Sequence, residues 1–345
     1  MSPLILLVMV LFMGMGTTIT MTSSHWLLAW MGLEINTLAI IPLMIKSHHP
    51  RAVEASTKYF LVQATAAATL LFAGSMNAWL TGQWEILQTT HPLPLSLTTM
   101  ALSMKMGLAP LHSWLPDIMQ GVDLKIGLVL ATWQKLAPFS LLLQTNSGVL
   151  MILLGLTSTI MGGWGGLNQT QLRKILAYSS VAHLGWTFMI LQLLPPLSWL
   201  TLLTYMIMTF SLFNMFMLNK ATNINSLATS SMKAPALAAL APLILLSLGG
   251  LPPLTGFLPK WMILQELAKH SFNATAAIAA LSALLSLYFY LRLSYSMTLT
   301  IAPNTSTSTL PWRLHNTAST TPTAASISLT LILLPLLPLM MTITF

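Results

Sequence analysis

The sequence predicts an all-α polytopic membrane protein with 11 transmembrane helices, arranged as two inverted five-helix repeats. Three observations carry that expectation. The chain has 345 residues, 55% hydrophobic and 6% charged, with a mean hydropathy of +0.77. Its apolar stretches recur at about the ~20 residues that a bilayer core requires. One unusual pattern, two prolines six residues apart inside an apolar segment, occurs twice.

Composition also excludes several classes. A soluble domain carries roughly 25% charged residues, four times the share found here. The net charge is +8, but it contains no basic run and sits between apolar segments, so it points to topology rather than nucleic acid. The absence of cysteine excludes disulfides, iron–sulfur ligation and thiolate zinc. Met1-Ser2-Pro3 offers neither a basic leader region nor an Arg-rich transit segment. No Gly-rich phosphate loop, dinucleotide fingerprint or nucleophile–base motif is present, so redox chemistry within this chain is not expected.

In order, the expected spans are 3–21, 25–45, 56–80, 95–120 (broken), 125–143, 148–170, 174–192, 197–219, 236–270 (broken), 273–298 and 322–342. Ser47-His48-His49-Pro50, His91-Pro92, Asn146-Ser147-Gly148 and Leu194-Pro195-Pro196 separate them, each a turn-forming cluster. The stretch 300–321, rich in Thr, Ser, Asn and Pro, reads as a surface loop. The units expected are 1–145, 146–299, and a tail of loop and last helix, 300–345.

Charge placement supports the count. Lys46, Arg51, Lys58, Lys125, Arg173, Lys174, Lys220, Lys233, Arg292 and Arg313 fall on one side, with the N-terminus; the opposite loops hold only Lys269. This is a strong positive-inside bias. Glu266 and Lys269 are expected to pair locally.

The repeated pattern is Gly107-Leu-Ala-Pro-Leu-His-Ser-Trp-Leu-Pro116 against Gly250-Leu-Pro-Pro-Leu-Thr-Gly-Phe-Leu-Pro259, without gaps. Paired prolines should break a helix, and freed backbone groups survive in lipid only where protein or water satisfies them. The alternative is two unrelated kinks; the recurring skeleton and adjacent Lys105 and Lys260 favour a repeat. The breaks fall in helices 4 and 9, an odd separation, so the copies cross in opposite directions.

Four charges lie inside spans: Glu34, Lys105, Lys135 and Lys260. A central charge costs roughly 2.5–3.5 kcal/mol on insertion scales. Low dielectric disfavours a charged amine and a nearby carboxylate favours it, so such a set can load and release protons. The competing reading is a set of static buried pairs, but three lysines and one acid cannot all pair. His112, in the first break, is a candidate relay or a cap for freed backbone groups. His183 is a weaker relay candidate.

The segments Gly107–Asp117, Asn168-Gln-Thr-Gln-Leu-Arg-Lys-Ile-Leu-Ala-Tyr-Ser-Ser180 and Gly249-Gly-Leu-Pro-Pro-Leu-Thr-Gly-Phe-Leu-Pro-Lys-Trp261 resemble the antiporter-like membrane subunits of mitochondrial respiratory complex I. The resemblance covers essentially the whole chain, fits its Met- and Thr-rich, cysteine-free composition, and points to a mammalian member. It implies the antiporter-like fold. Glu34 would then modulate Lys105, Lys135 would connect the halves, and Lys260 would serve the second half-channel.

It also implies a proton-translocating role without a cofactor in this chain, NADH, FMN, iron–sulfur clusters and ubiquinone being used by other subunits. The implied location is the mitochondrial inner membrane, N-terminus in the matrix and C-terminus in the intermembrane space. Bacterial relatives carry three further N-terminal helices. Other membrane subunits, or bound lipid such as cardiolipin, are expected on the face this exposes. The alternatives are a structural connector that moves no protons and a solitary cation/proton antiporter.

Overall fold

The computed structural model describes residues 3–145, 147–229, 235–299 and 320–336. Lys233, Arg313, most of the expected 300–321 loop, and the last span beyond Leu336 lie outside them. The described residues are helical, joined by turns and loops, with isolated bridges at His25–Glu85 and Gln171–Asn223.

Among the described residues, seven segments are long and apolar enough to cross a membrane. They are α1 (Pro3–Thr22), α2 (Trp26–Met44), α3 (Pro50–Thr81), the combined α6 (Leu124–Ala131) and α7 (Leu136–Gln144), α8 (Val149–Gly166), α10 (Pro195–Asn219) and α14 (Asn273–Thr298). Between them lie α4 (Pro92–Met106), α5 (Trp114–Gly121), α9 (Leu172–Ile190), α11 (Ile224–Ala228), α12 (Pro235–Gly249), α13 (Phe257–Lys269) and α15 (Thr321–Ile332). The chain forms two compact units, Met1–Ser158 and Thr159–Phe345.

In the first unit α1 and α2 touch at backbone level. A Cβ added at Gly16 would lie 2.8 Å from the Gly32 carbonyl oxygen. Only glycine permits that approach, and small residues at such crossings are the usual means of packing helices in lipid. In the second unit α9 is buried along almost its whole length, from Leu172 to Ile190, and so sits inside its unit. Buried hydroxyls bond back to carbonyls of their own helix, as in Thr20 to Thr17 (2.8 Å) and Ser179 to Leu176 (2.8 Å). That is how a Thr-rich chain buries polar atoms without partners on other helices.

Two expected spans differ. The third begins at Pro50 rather than 56, because the His49 side chain accepts from the Arg51 amide and Pro50 fits the first helical position. It runs 32 residues, about 48 Å at 1.5 Å per residue, so it extends well past a ~30 Å core. The fifth is not continuous: Trp133–Lys135 form a 3-10 turn between α6 and α7. Pro138 has no amide to give the Gln134 carbonyl, which loosens this turn.

Candidate functional site

Both expected breaks are present. The first separates α4 from α5. Gly107 adopts φ +81°, which lets its amide and that of Leu108 bond back to the end of α4. The Trp114 indole N–H donates to the Met104 carbonyl at 3.1 Å, and the Thr157 hydroxyl donates to the Ala109 carbonyl at 3.3 Å. Freed backbone groups are thus answered by side chains, as the bilayer demands.

Lys105 stands in the last turn of α4, 6% exposed, and its Nζ finds no hydrogen-bond partner among the described residues. It lines a cavity of about 20 Å³ together with Lys135, which is 2% exposed. That is room for about one water. Asn36, Thr37, Tyr59 and Gln134 supply polar walls. Gln134 donates to the Asn36 Oδ1 at 3.0 Å, tying the 3-10 turn before Lys135 to α2.

Glu34 is half-buried on α2 and does not line the cavity; its carboxylate accepts from Thr37 at 3.2 Å. Among the described residues the ion pairs are Lys58 with Glu54 and Asp117, and Lys269 with Glu266 at 2.6 Å. The second is the expected local pair. No direct Glu34–Lys105 pair forms.

The second break separates α12 from α13, with Gly250 at φ +87°. Phe257 holds the position of Trp114 but has no donor. Here Lys260 reaches back, and its Nζ donates to the carbonyls of Leu248 (3.1 Å) and Gly249 (3.0 Å). An ammonium at a helix C-terminus meets both orphan carbonyls and the negative end of the dipole. Lys260 and His183 line a cavity of about 10 Å³. The His183 ring lies 5.4 Å from that of Tyr205, and its Nε2 is 3.5 Å from the Tyr290 hydroxyl.

The structure therefore joins Lys105 with Lys135, and Lys260 with His183. His112 is half-buried in the first break, near the Pro110 backbone, and does not line the cavity. Sequence reasoning missed Tyr59, Asn36, Gln63 and Gln134. The available signal was polarity on apolar helices: Asn36 is 1% and Gln63 4% exposed.

Interrupted apolar helices with amines held beside small polar cavities mark a membrane protein of the transporter class. Residues 23–286 match the family model for NADH:quinone oxidoreductase/Mrp antiporter transmembrane subunits, and 287–341 match that for the NADH dehydrogenase subunit 2 C-terminus. The chain is 65% identical to NADH-ubiquinone oxidoreductase chain 2 of Tetraodon nigroviridis over 345 residues (99% of each chain) and 60% identical to that of Salmo salar over 346 (99% of each). The chain belongs to the NADH-ubiquinone oxidoreductase chain 2 family.

In structure it is similar to a chain of respiratory complex I from Thermus thermophilus, at TM-score 0.83 and 28% identity, covering 97% of this chain and 79% of that one. A chain of the Mrp complex from Dietzia shares the fold, at TM-score 0.82 and 18% identity, covering 97% and 76%. These relatives at 60–65% identity are fishes, which gives no support to the expected mammalian source.

Proposed function

We propose that this chain is a membrane subunit of a proton-pumping NADH:ubiquinone oxidoreductase in the mitochondrial inner membrane, and that it carries protons and no redox centre. The observation that carries the reading is the shared cavity of Lys105 and Lys135, with the Lys105 amine buried and unbonded. A buried amine that no protein group fixes is free to exchange its proton with a water at that point. Glu34, acting through space, tunes how firmly Lys105 holds its charge. In the second unit Lys260 and His183 form the corresponding pair of groups.

In this reading the chain crosses the membrane eleven times as two inverted five-helix units, 1–145 and 146–299, with the N-terminus on the matrix side. NADH, FMN, iron–sulfur clusters and ubiquinone serve neighbouring subunits. Those subunits, or lipid such as cardiolipin, cover the exposed apolar face of α1, where Leu4 is 71% exposed.

The test is substitution of Lys105, Lys135 and Lys260 by methionine, one at a time, in the assembled complex. Coupled turnover and protons moved per electron should fall. Unchanged ratios in all three would sink the reading. One observation favours a second reading, a connector that moves no protons: Lys260 is held by two carbonyls, as a structural cap would be. A glutamine at 260 that assembles and pumps normally would favour the connector.

A further inference from the structure

An open recess of about 230 Å³ lies between the start of α3 and the end of α5. Its walls carry Arg51, Glu54, Lys58, Asp117 and Gln120. Lys58 stands between two carboxylates, 2.8 Å from Glu54 and 3.8 Å from Asp117. The seam below is tight: a Cβ added at Gly121 would meet Ala55 Cβ and the Arg51 carbonyl at 2.7 Å.

The same two helices also line the Lys105–Lys135 cavity. On α3 the recess uses Glu54 and Lys58, and the cavity uses Tyr59 and Gln63. On α5 the recess uses Asp117 and Gln120, and the cavity uses Trp114 and Leu115. Asp117 is therefore about 4.5 Å along the axis from Trp114. The Tyr59 and Trp114 rings, both on the cavity wall, stand edge to face with centroids 6.1 Å apart. A tyrosine hydroxyl can accept a proton on one side and donate one on the other.

We infer that the α3–α5 seam is the proton intake of the first unit: Glu54 and Asp117 collect protons in the recess, and Tyr59 relays them past Trp114 to the cavity of Lys105. The inference rests on the proton-carrying reading above and assigns its first step. Lys58 is within reach of both carboxylates and holds them on the two sides of the recess.

The chain has no cysteine, so a single one can be placed in it cleanly. The Gln120→Cys chain is assembled into the complex, and inverted inner-membrane vesicles are treated with a bulky membrane-impermeant thiol reagent. Complex with the unaltered chain, treated identically, controls for cysteines of other subunits. Labelling should lower protons moved per electron to the level of Lys105→Met. Tyr59→Phe, which keeps the ring pair, should lower it too.

Failure of the introduced thiol to react overturns the open recess. Labelling without loss of proton flux, with Lys105→Met impaired, overturns the intake and leaves the proton-carrying reading standing. Normal flux in Lys105→Met and in the labelled complex removes both. Full flux in Tyr59→Phe removes the tyrosine as relay.

Discussion

The Trp114 indole donates to the Met104 carbonyl, and at the matched place in the second break Phe257 leaves that task to Lys260. The two breaks share a sequence skeleton, yet a neutral donor closes one and a charged donor closes the other. The first lysine is thereby released from structural duty, and the second is not.

Trp114→Phe should destabilise the first break. The Met104 carbonyl would lose its donor in a buried setting, a loss of about 1–3 kcal/mol. The thermal inactivation midpoint of the purified complex should drop, and hydrogen exchange around Gly107 should quicken. An unchanged midpoint would mean the indole bond does not hold the break.

Substitution at Lys260 should separate its two roles. Lys260→Gln keeps a donor for the helix-end carbonyls and removes the charge; Lys260→Met removes both. The glutamine variant should assemble close to normal levels with reduced proton flux. The methionine variant should also lose assembled complex on native gels.

Gly16→Val should disrupt assembly. Its Cβ would meet backbone atoms of Gly32 and Asn36 at 2.8 and 2.9 Å, which cannot yield as a side chain can. Overpacking of this kind costs about 1–3 kcal/mol. Gly14→Ala, with no neighbour within 4 Å, should assemble normally. Quantifying both in isolated membranes provides the comparison.

Gln134→Leu should break the tie between the Lys135 turn and α2. Loss of one partner leaves Asn36 short of a buried bond, about 1–3 kcal/mol. The effect should be non-additive with Asn36→Leu in a double-mutant cycle on thermal inactivation. Additive losses would show that the two residues act independently.

The breaks were legible because two prolines six residues apart leave a helix no way to continue, and the sequence marks them twice. The turn at Lys135 was not. Pro42 and Pro242 sit inside continuous helices, whereas Pro138 follows a broken one. A single proline does not say which outcome packing will select. Lys105, Lys135 and Lys260 stood out because charge in an apolar span is costly. Tyr59 and Gln134 did not, since neutral polar residues become site residues only through the helices that meet them. His112 stays off the cavity wall for the same reason: adjacency in sequence to Lys105 does not bring it there.

The grip of Lys260 on α12 has a mechanical side. An ammonium offers three donors and a full charge to the carbonyls of Leu248 and Gly249; a neutral amine offers fewer donors and no charge. The joint between α12 and α13 should accordingly be held more firmly by a charged amine than by a neutral one. On the proton-carrying reading, cargo and hinge pin would be one group, and loss of its proton would loosen the backbone at that point.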